Sequence, residues 1–208
     1  MNMPEAKGSK IRILDAALKV IRTKGYAATT IDDICAAAGL TKGGFFHHFS
    51  SKEDLAVASA DYWSTTTSGL FKTAPYHAPA DPLERVLAYV DFRKAILKGE
   101  TPDFTCLVGT MVQEVHVTSP AIRAACLRSI EGHAHSLDAD IALAMAKSGK
   151  TFPFTPASLA LHTQAVIQGA FILAKAEGGP EIAAESLDHL RRYVSLLFTC
   201  PQTGETMQ

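Results

Sequence analysis

The sequence predicts an all-α fold of about nine helices, and three observations carry that reading. No segment alternates apolar and polar residues as a half-buried strand does. Residues that start and stop helices recur along the whole 208-residue chain. Apolar residues make up 47% of it and charged residues only 20%, enough to bury a core and too apolar for a disordered chain.

Leu14, Ala17, Leu18 and Ile21 share one helical face, and Gly25 supplies the stop. Thr30 caps a second, short helix, with Asp33 three residues on to complete a capping box. Ile31 and Ile34 give that helix its buried side, and Gly39 ends it. Thr41 caps a third short helix running to about His48, and the run Ser50-Ser51-Lys52-Glu53-Asp54 opens a longer one towards Phe71. Proline at the first helical position then takes over the punctuation. Asp81-Pro82 starts a helix with Leu83, Val86, Leu87 and Val90 on its apolar face, closed near Gly99. Thr101-Pro102-Asp103 introduces one to about Val117, and Ser119-Pro120 a long one persisting to Gly149. Thr155-Pro156 begins a helix ended by Gly178-Gly179, and Pro180 begins the last, which finishes before Pro201.

Residues 151–174 carry no charge, yet Pro153, Pro156, His162, Gln164 and Gln168 stand among several Ser and Thr, too many polar groups for a lipid-facing span. A helix apolar on several faces is expected to be buried by protein on more than one side. In the last helix Ala183, Leu187, Leu190, Val194 and Leu197 are spaced 4, 3, 4, 3, an a/d seam. Val166, Gly169, Ala170, Leu187, Leu190, Val194 and Leu197 are therefore the expected contacts of a homodimer. The alternative is that the seam only closes a larger intramolecular bundle.

The formal net charge of −1 excludes a uniformly basic coat protein but hides an asymmetry, with residues 1–55 at +2 and the remainder at −3. Cys35, Cys106, Cys126 and Cys200 have neither metal-type spacing nor a disulfide framework, and no metal or cofactor is expected. The N-terminus is polar and lacks the apolar stretch of a signal peptide, so a cytoplasmic location is expected.

Two short helices joined by Gly39-Leu40, after an amphipathic first helix, make a helix-turn-helix unit. Such a unit lays its second helix in the major groove of DNA. Here that helix reads Thr41-Lys42-Gly43-Gly44-Phe45-Phe46-His47-His48-Phe49. Lys42 offers charge to a phosphate or a guanine edge. Gly43 and Gly44 each cost a helix roughly 1 kcal/mol against Ala and make sense where backbone must approach a partner closely. Phe45 and Phe49 are expected to pack inward.

The stretch Ile13 to Leu55 closely resembles the DNA-binding domain of the TetR (tetracycline repressor) family. The matching features are G-Y-x-x-T-T-I-x-x-I-x-x-x-A-G, T-K-G, H-H-F and S-K-E-x-L at fixed spacing. The resemblance implies a homodimeric, all-helical transcriptional regulator, usually a repressor released by a small molecule bound in its larger C-terminal domain. The division expected is 1–50 for DNA binding and 51–208 for ligand binding and dimerisation. By position, Thr30 should cap the second helix and meet a phosphate. Thr41, Lys42, Gly43, Gly44 and His47 should face double-stranded operator DNA, and Lys52 should reach its backbone. Phe46 stands where the family often has Tyr, so its contact is apolar or it packs.

Candidate ligand contacts are Trp63, Phe71, Tyr89, Phe92, Phe104, Met111, Glu114, His116, His133 and Phe171, with Trp63, Phe92, Cys106, Glu114, His116 and Phe171 preferred. Glu114 and His116 are ionisable groups on apolar segments and need a partner. With Asp103 as a cap, Cys106 falls in the first turn of a helix, where free amides favour a thiolate able to sense an electrophile or oxidant. The bland reading of Cys106 is a small buried hydrophobe. A thiol-based enzyme or carrier with a vestigial helix-turn-helix is the alternative function, but no nucleophile elbow, phosphate loop or metal motif supports a catalytic unit.

Overall fold

Helix boundaries in the computed structural model, which describes residues 8–199, fall where capping residues stand. Helix α1 (Ser9–Lys24) stops at Gly25, whose φ of +86° suits glycine. Helix α2 (Ile31–Ala38) opens on a complete capping box: Thr30 Oγ1 accepts the Asp33 amide at 3.1 Å, and Asp33 Oδ2 accepts the Thr30 amide at 2.7 Å. Gly39 closes it in the left-handed region. Thr41 Oγ1 accepts the Gly44 amide at 3.2 Å and starts α3 (Lys42–Phe46). Helix α4 (Lys52–Lys72) follows the Ser50-Ser51 turn, and a 3-10 turn (Pro75–His77) leads to α5 (Pro82–Ala95), capped by Asp81. Then come α6 (Thr101–Phe104), α7 (Leu107–Val115), α8 (Pro120–Ala134), α9 (Asp138–Ser148), α10 (Pro156–Glu177) and α11 (Glu181–Thr199). No strand occurs among the described residues. Cys200 and the stop expected at Pro201 lie outside them.

Two expected helices are broken, so that the described residues hold eleven α-helices where nine are expected. The one expected over 101–117 divides where Thr105 and Cys106 turn extended. Glu100, not Asp103, is the cap of α6, and Cys106 caps α7, its Sγ accepting the Gly109 amide at 3.4 Å. The break lets Leu107, Val108 and Met111 all reach the core. The helix expected to persist to Gly149 breaks at a 3-10 turn (His135–Leu137) that buries Leu137. There His135 Nδ1 lies 2.8 Å from Asp138 Oδ2, and Ser136 Oγ donates to the His133 carbonyl at 2.7 Å.

The chain forms two compact units that do not divide at residue 50. The first takes in the chain up to Leu70 together with Glu100–Ile130. Its core gathers Ile13, Ala17 and Ile21 of α1, Ile34 of α2, Phe45 and Phe49, Leu55 of α4, Leu107 and Met111 of α7, and Ile122 of α8. Phe45 and Phe49 do pack inward.

The second unit is Phe71–Gly99 with, among the described residues, 131–199. In it α10 packs along α11, and α5 packs on α9 and α11. Helix α10 is long and apolar enough to cross a membrane by length and composition, but it buries Leu159, Thr163, Gln164, Ile167 and Phe171 inside this unit. Leu187, Leu190 and Val194 are buried against the same chain, as is Ala170. The a/d seam is thus intramolecular, which corrects these four as dimer contacts; Val166, Gly169 and Leu197 are half-buried. A different apolar stripe faces outward, formed by Leu161, Ile172 and Leu173 on α10 and Tyr193 and Leu196 on α11.

Candidate nucleic-acid interface

Helix α3 is held from beneath and open above. Phe45 is fully buried and Phe49 nearly so, their ring centroids 5.8 Å apart, and this fixes the helix on the first-unit core. The opposite face presents Thr41, Lys42, Gly43 and His47, all exposed, with Gly44 half-buried. Phe46 is 54% exposed although its ring edge meets Phe45, so it stands on the open face and does not fill the core. His48 points elsewhere, its Nε2 2.6 Å from Ser9 Oγ.

Neither glycine of α3 is required by packing within the chain. A Cβ added at Gly43 would meet only Thr41 Oγ1 at 3.8 Å, and one at Gly44 the same oxygen at 3.7 Å, both ordinary contacts. Packing among the described residues therefore gives no reason for two poor helix formers side by side. Lys42 Nζ lies 3.0 Å from Asp32 Oδ1, with both side chains exposed. Such a pair is worth at most about 1 kcal/mol, so Asp32 holds the ammonium only weakly.

Around the start of α2 the polar groups are tightly bound to one another. Thr30 Oγ1 donates to Asp33 Oδ2 at 2.6 Å, and Lys24 Nζ lies 2.5 Å from the same oxygen. The hydrogen bond from Lys24, then those from Thr30, hold the Asp33 carboxyl well below the usual carboxylate range. Thr30 is itself exposed.

Lys52 does something other than reach outward. Its ammonium donates to the carbonyls of Tyr26 (3.0 Å), Thr29 (2.8 Å) and Ala27 (3.4 Å) and lies 4.3 Å over the Tyr26 ring. All three of its donors are spent on the loop between α1 and α2. Burial lowers its pKa, and the nearby Glu114 charge opposes that. Glu114, expected as a ligand contact, serves the same loop by accepting the Tyr26 and Ala27 amides.

The remaining expected ligand contacts fall in both units. Trp63, Cys106, Glu114 and His116 belong to the first unit, Phe92 and Phe171 to the second. His116 is exposed at the C-terminal end of α7. Trp63 lies beneath the Arg22 guanidinium at 5.1 Å, and Arg22 also donates to the Asp103 carbonyl at 3.1 Å. Cys106 is half-buried at the start of α7, beside a buried Thr105 hydroxyl that has no hydrogen-bond partner among the described residues. Burial pushes the Cys126 thiol, in the same core, up to about 12, and the charge of Cys106 adds to the effect.

In the second unit Phe71, Tyr76, Tyr89 and Phe92 form an aromatic cluster whose ring centroids lie 5.3 to 6.4 Å apart where they meet. His133 stacks edge-on against Phe71 at 4.4 Å. The sequence reading missed Arg93 and Gln164, which complete this cluster. Arg93 follows Val86 and Val90 at the next position of the buried α5 stripe, and a cation where an apolar residue is due was the available signal. No group of three or more His, Cys, Asp or Glu suited to a metal occurs among the described residues.

Residues 13–58 match the model of the bacterial regulatory proteins of the tetR family. The transcriptional regulator AcuR of Cereibacter sphaeroides is 27% identical over 128 residues, 62% of this chain and 58% of that protein. The regulator TtgR of Pseudomonas putida is 31% identical over 99 residues, 47% of each chain. The chain spans about half the length of these curated relatives in the matched regions. The crystal structure of a regulatory protein TetR from Rhodobacter sphaeroides superposes with a TM-score of 0.78 at 24% identity, over 89% of this chain and 98% of that one. That likeness speaks for the fold.

Proposed function

The chain belongs to the TetR family of bacterial transcriptional regulators, and on that premise we propose that it is a homodimeric repressor that holds operator DNA until a small molecule releases it. The observation that carries this reading is the open face of α3, where two glycines unexplained by internal packing stand between an exposed Lys42 and an exposed His47. In use, Lys42 transfers from Asp32 to a phosphate or guanine, and the glycine backbone lies close to the DNA. Thr30 and Thr41 add contacts from the helix starts. Two copies present their α3 helices about 34–36 Å apart, in successive major-groove turns. The stripe of Leu161, Ile172, Tyr193 and Leu196 supplies the surface on which the copies join. The protein acts by binding, not by turnover, and works in the cytoplasm beside the DNA it regulates.

Release is a shift to a dimer geometry that no longer matches that spacing. Cys106 is a second entry point for such a signal, because its sulfur caps α7 within the unit that carries α3. Addition of that sulfur to an activated alkene forms a C–S bond, and the thiol proton passes through solvent to the neighbouring carbon. The Gly109 amide then loses its acceptor and α7 its cap.

Fluorescence anisotropy of the purified protein with a duplex from upstream of its own gene, titrated with salt and against unrelated DNA, tests the reading. Tight, salt-dependent binding well above the unrelated control is expected. Binding no better than to unrelated DNA, there and across a genome-wide selection, would overturn it. Loss of binding on alkylation in wild type but not in Cys106→Ser is expected for the thiol route.

A further inference from the structure

One cation of α5 has no anion. Arg85 pairs with Asp140 at 2.7 Å and Lys94 with Asp188 at 2.7 Å, but among the described residues no carboxylate lies within ion-pair reach of Arg93. Its guanidinium is half-buried, 5.2 Å over the Phe71 ring and 5.6 Å over that of Phe171. Its hydrogen-bond neighbour is His133 Nε2 at 3.3 Å. The same nitrogen receives the Tyr89 hydroxyl at 2.9 Å, and Tyr89 in turn accepts from Gln164 Nε2 at 2.8 Å.

Burial, then the charge of Arg93, push the His133 pKa down to about 3, so the imidazole is neutral and offers one lone pair to two donors. The cluster is therefore rich in donors and poor in acceptors. A guanidinium carries five N–H groups in a planar fork, and among the described residues its side-chain acceptors are limited to His133 Nε2 and the neighbouring Tyr89 oxygen. The two flanking rings stabilise the charge but supply no oxygen. A carboxylate supplies both the missing charge and the missing acceptors, in the bidentate geometry that arginine favours. The surrounding rings favour a flat, aromatic body on that carboxylate.

We propose that Arg93, with Phe71 and Phe171 beside it, forms an effector subsite for a small aromatic carboxylate, the two oxygens taken by the guanidinium fork. As an effector subsite it rests on the reading of the chain as a ligand-released repressor. As a binding site it stands apart from that reading.

The test uses the full-length, DNA-free protein in calorimetric titrations with benzoate, phenylacetate, cinnamate and 4-hydroxybenzoate, each beside its neutral amide. At least one carboxylate is expected to bind roughly tenfold or more tightly than its amide, and Arg93→Gln to abolish the difference. Arg93→Lys, which keeps the charge and loses the fork, should lose affinity as well and serves where Arg93→Gln fails to fold. Absence of any carboxylate preference across the panel overturns the site, as does a preference that survives in the variants. The bound carboxylate is then added to the protein–operator complex. Release supports the effector role, whereas Arg93-dependent binding without release keeps the site and overturns that role.

Discussion

Glu114 of α7 holds the backbone at Ala27: its Oε2 accepts the Ala27 amide at 2.6 Å, while Oε1 accepts that of Tyr26 at 3.2 Å. The turn that makes this possible needs Gly25, because a Cβ there would meet Glu114 Oε1 at 2.5 Å in a conformation, φ +86°, that other residues avoid. Glu114→Ala leaves two amides without their acceptor and removes the carboxylate near Lys52. A loss of about 1 kcal/mol is expected in urea unfolding, since the carboxylate is largely exposed. Gly25→Ala should cost more than Glu114→Ala, because strain adds to the lost contact.

Gly43→Ala separates stability from recognition. The added methyl meets nothing closer than 3.8 Å, so the free protein should gain up to about 1 kcal/mol and melt higher. Operator affinity should fall in the same variant. A variant that is more stable and binds DNA as well as wild type would remove the glycine argument.

Lys42→Ala should weaken operator binding about tenfold and reduce the slope of log affinity against log salt by about 1, as for one lost phosphate contact. The oligomeric state, read by analytical ultracentrifugation, should not change. Lys52→Ala behaves differently. It strips three carbonyls of their donor, so its main effect should be on the melting temperature.

The outward and inward faces of the last helix are distinguishable by mutation. Leu196→Glu lies on the exposed stripe and should convert dimer to monomer with little loss of fold. Val194→Ala is buried within the chain and should cost about 1–3 kcal/mol of stability.

His133 sets an acid limit on the second unit. Its folded pKa is about 3 against an ordinary 6.5. Below pH 6.5 the unfolded chain binds a proton that the folded chain refuses, so stability is flat above that pH and falls from about 6.5 towards 3. The slope approaches 1.4 kcal/mol per pH unit at its steepest, about one proton's worth. Chemical unfolding between pH 7 and 4.5 should show the decline, and His133→Gln should flatten it.

Local rules made most of the secondary structure legible. Thr30, Thr41, Asp81 and Thr155 cap helices because a side-chain oxygen reaches an amide two or three residues on, and that geometry needs no tertiary context. The break at Thr105-Cys106 was not legible, because it answers to where Leu107 and Met111 must point in the folded core. The seam of α11 misled for a related reason. An a/d spacing says that a face is buried without saying against which chain. Lys52 and Glu114 were misassigned because their partners are backbone atoms of a loop, and backbone atoms leave no trace in a residue pattern. The open face of α3 was legible because its residues are at odds with helix stability.

The ion pair between Lys42 and Asp32 makes the recognition surface its own competitor. In the free chain the ammonium already has a carboxylate at 3.0 Å, so a passing phosphate gains only the difference between two similar attractions. On random DNA, where geometry is poor, that difference is small and the protein slides off. On the proposed reading, a site that seats α3 fully gains contacts from the glycine backbone and His47 that Asp32 has no means to match, and Lys42 changes hands. Replacing Asp32 with Asn should therefore tighten binding to all DNA while narrowing the gap between operator and random sequence. On that reading Asp32 of α2 works as a filter, setting how much a phosphate gains by taking Lys42 of α3 from it.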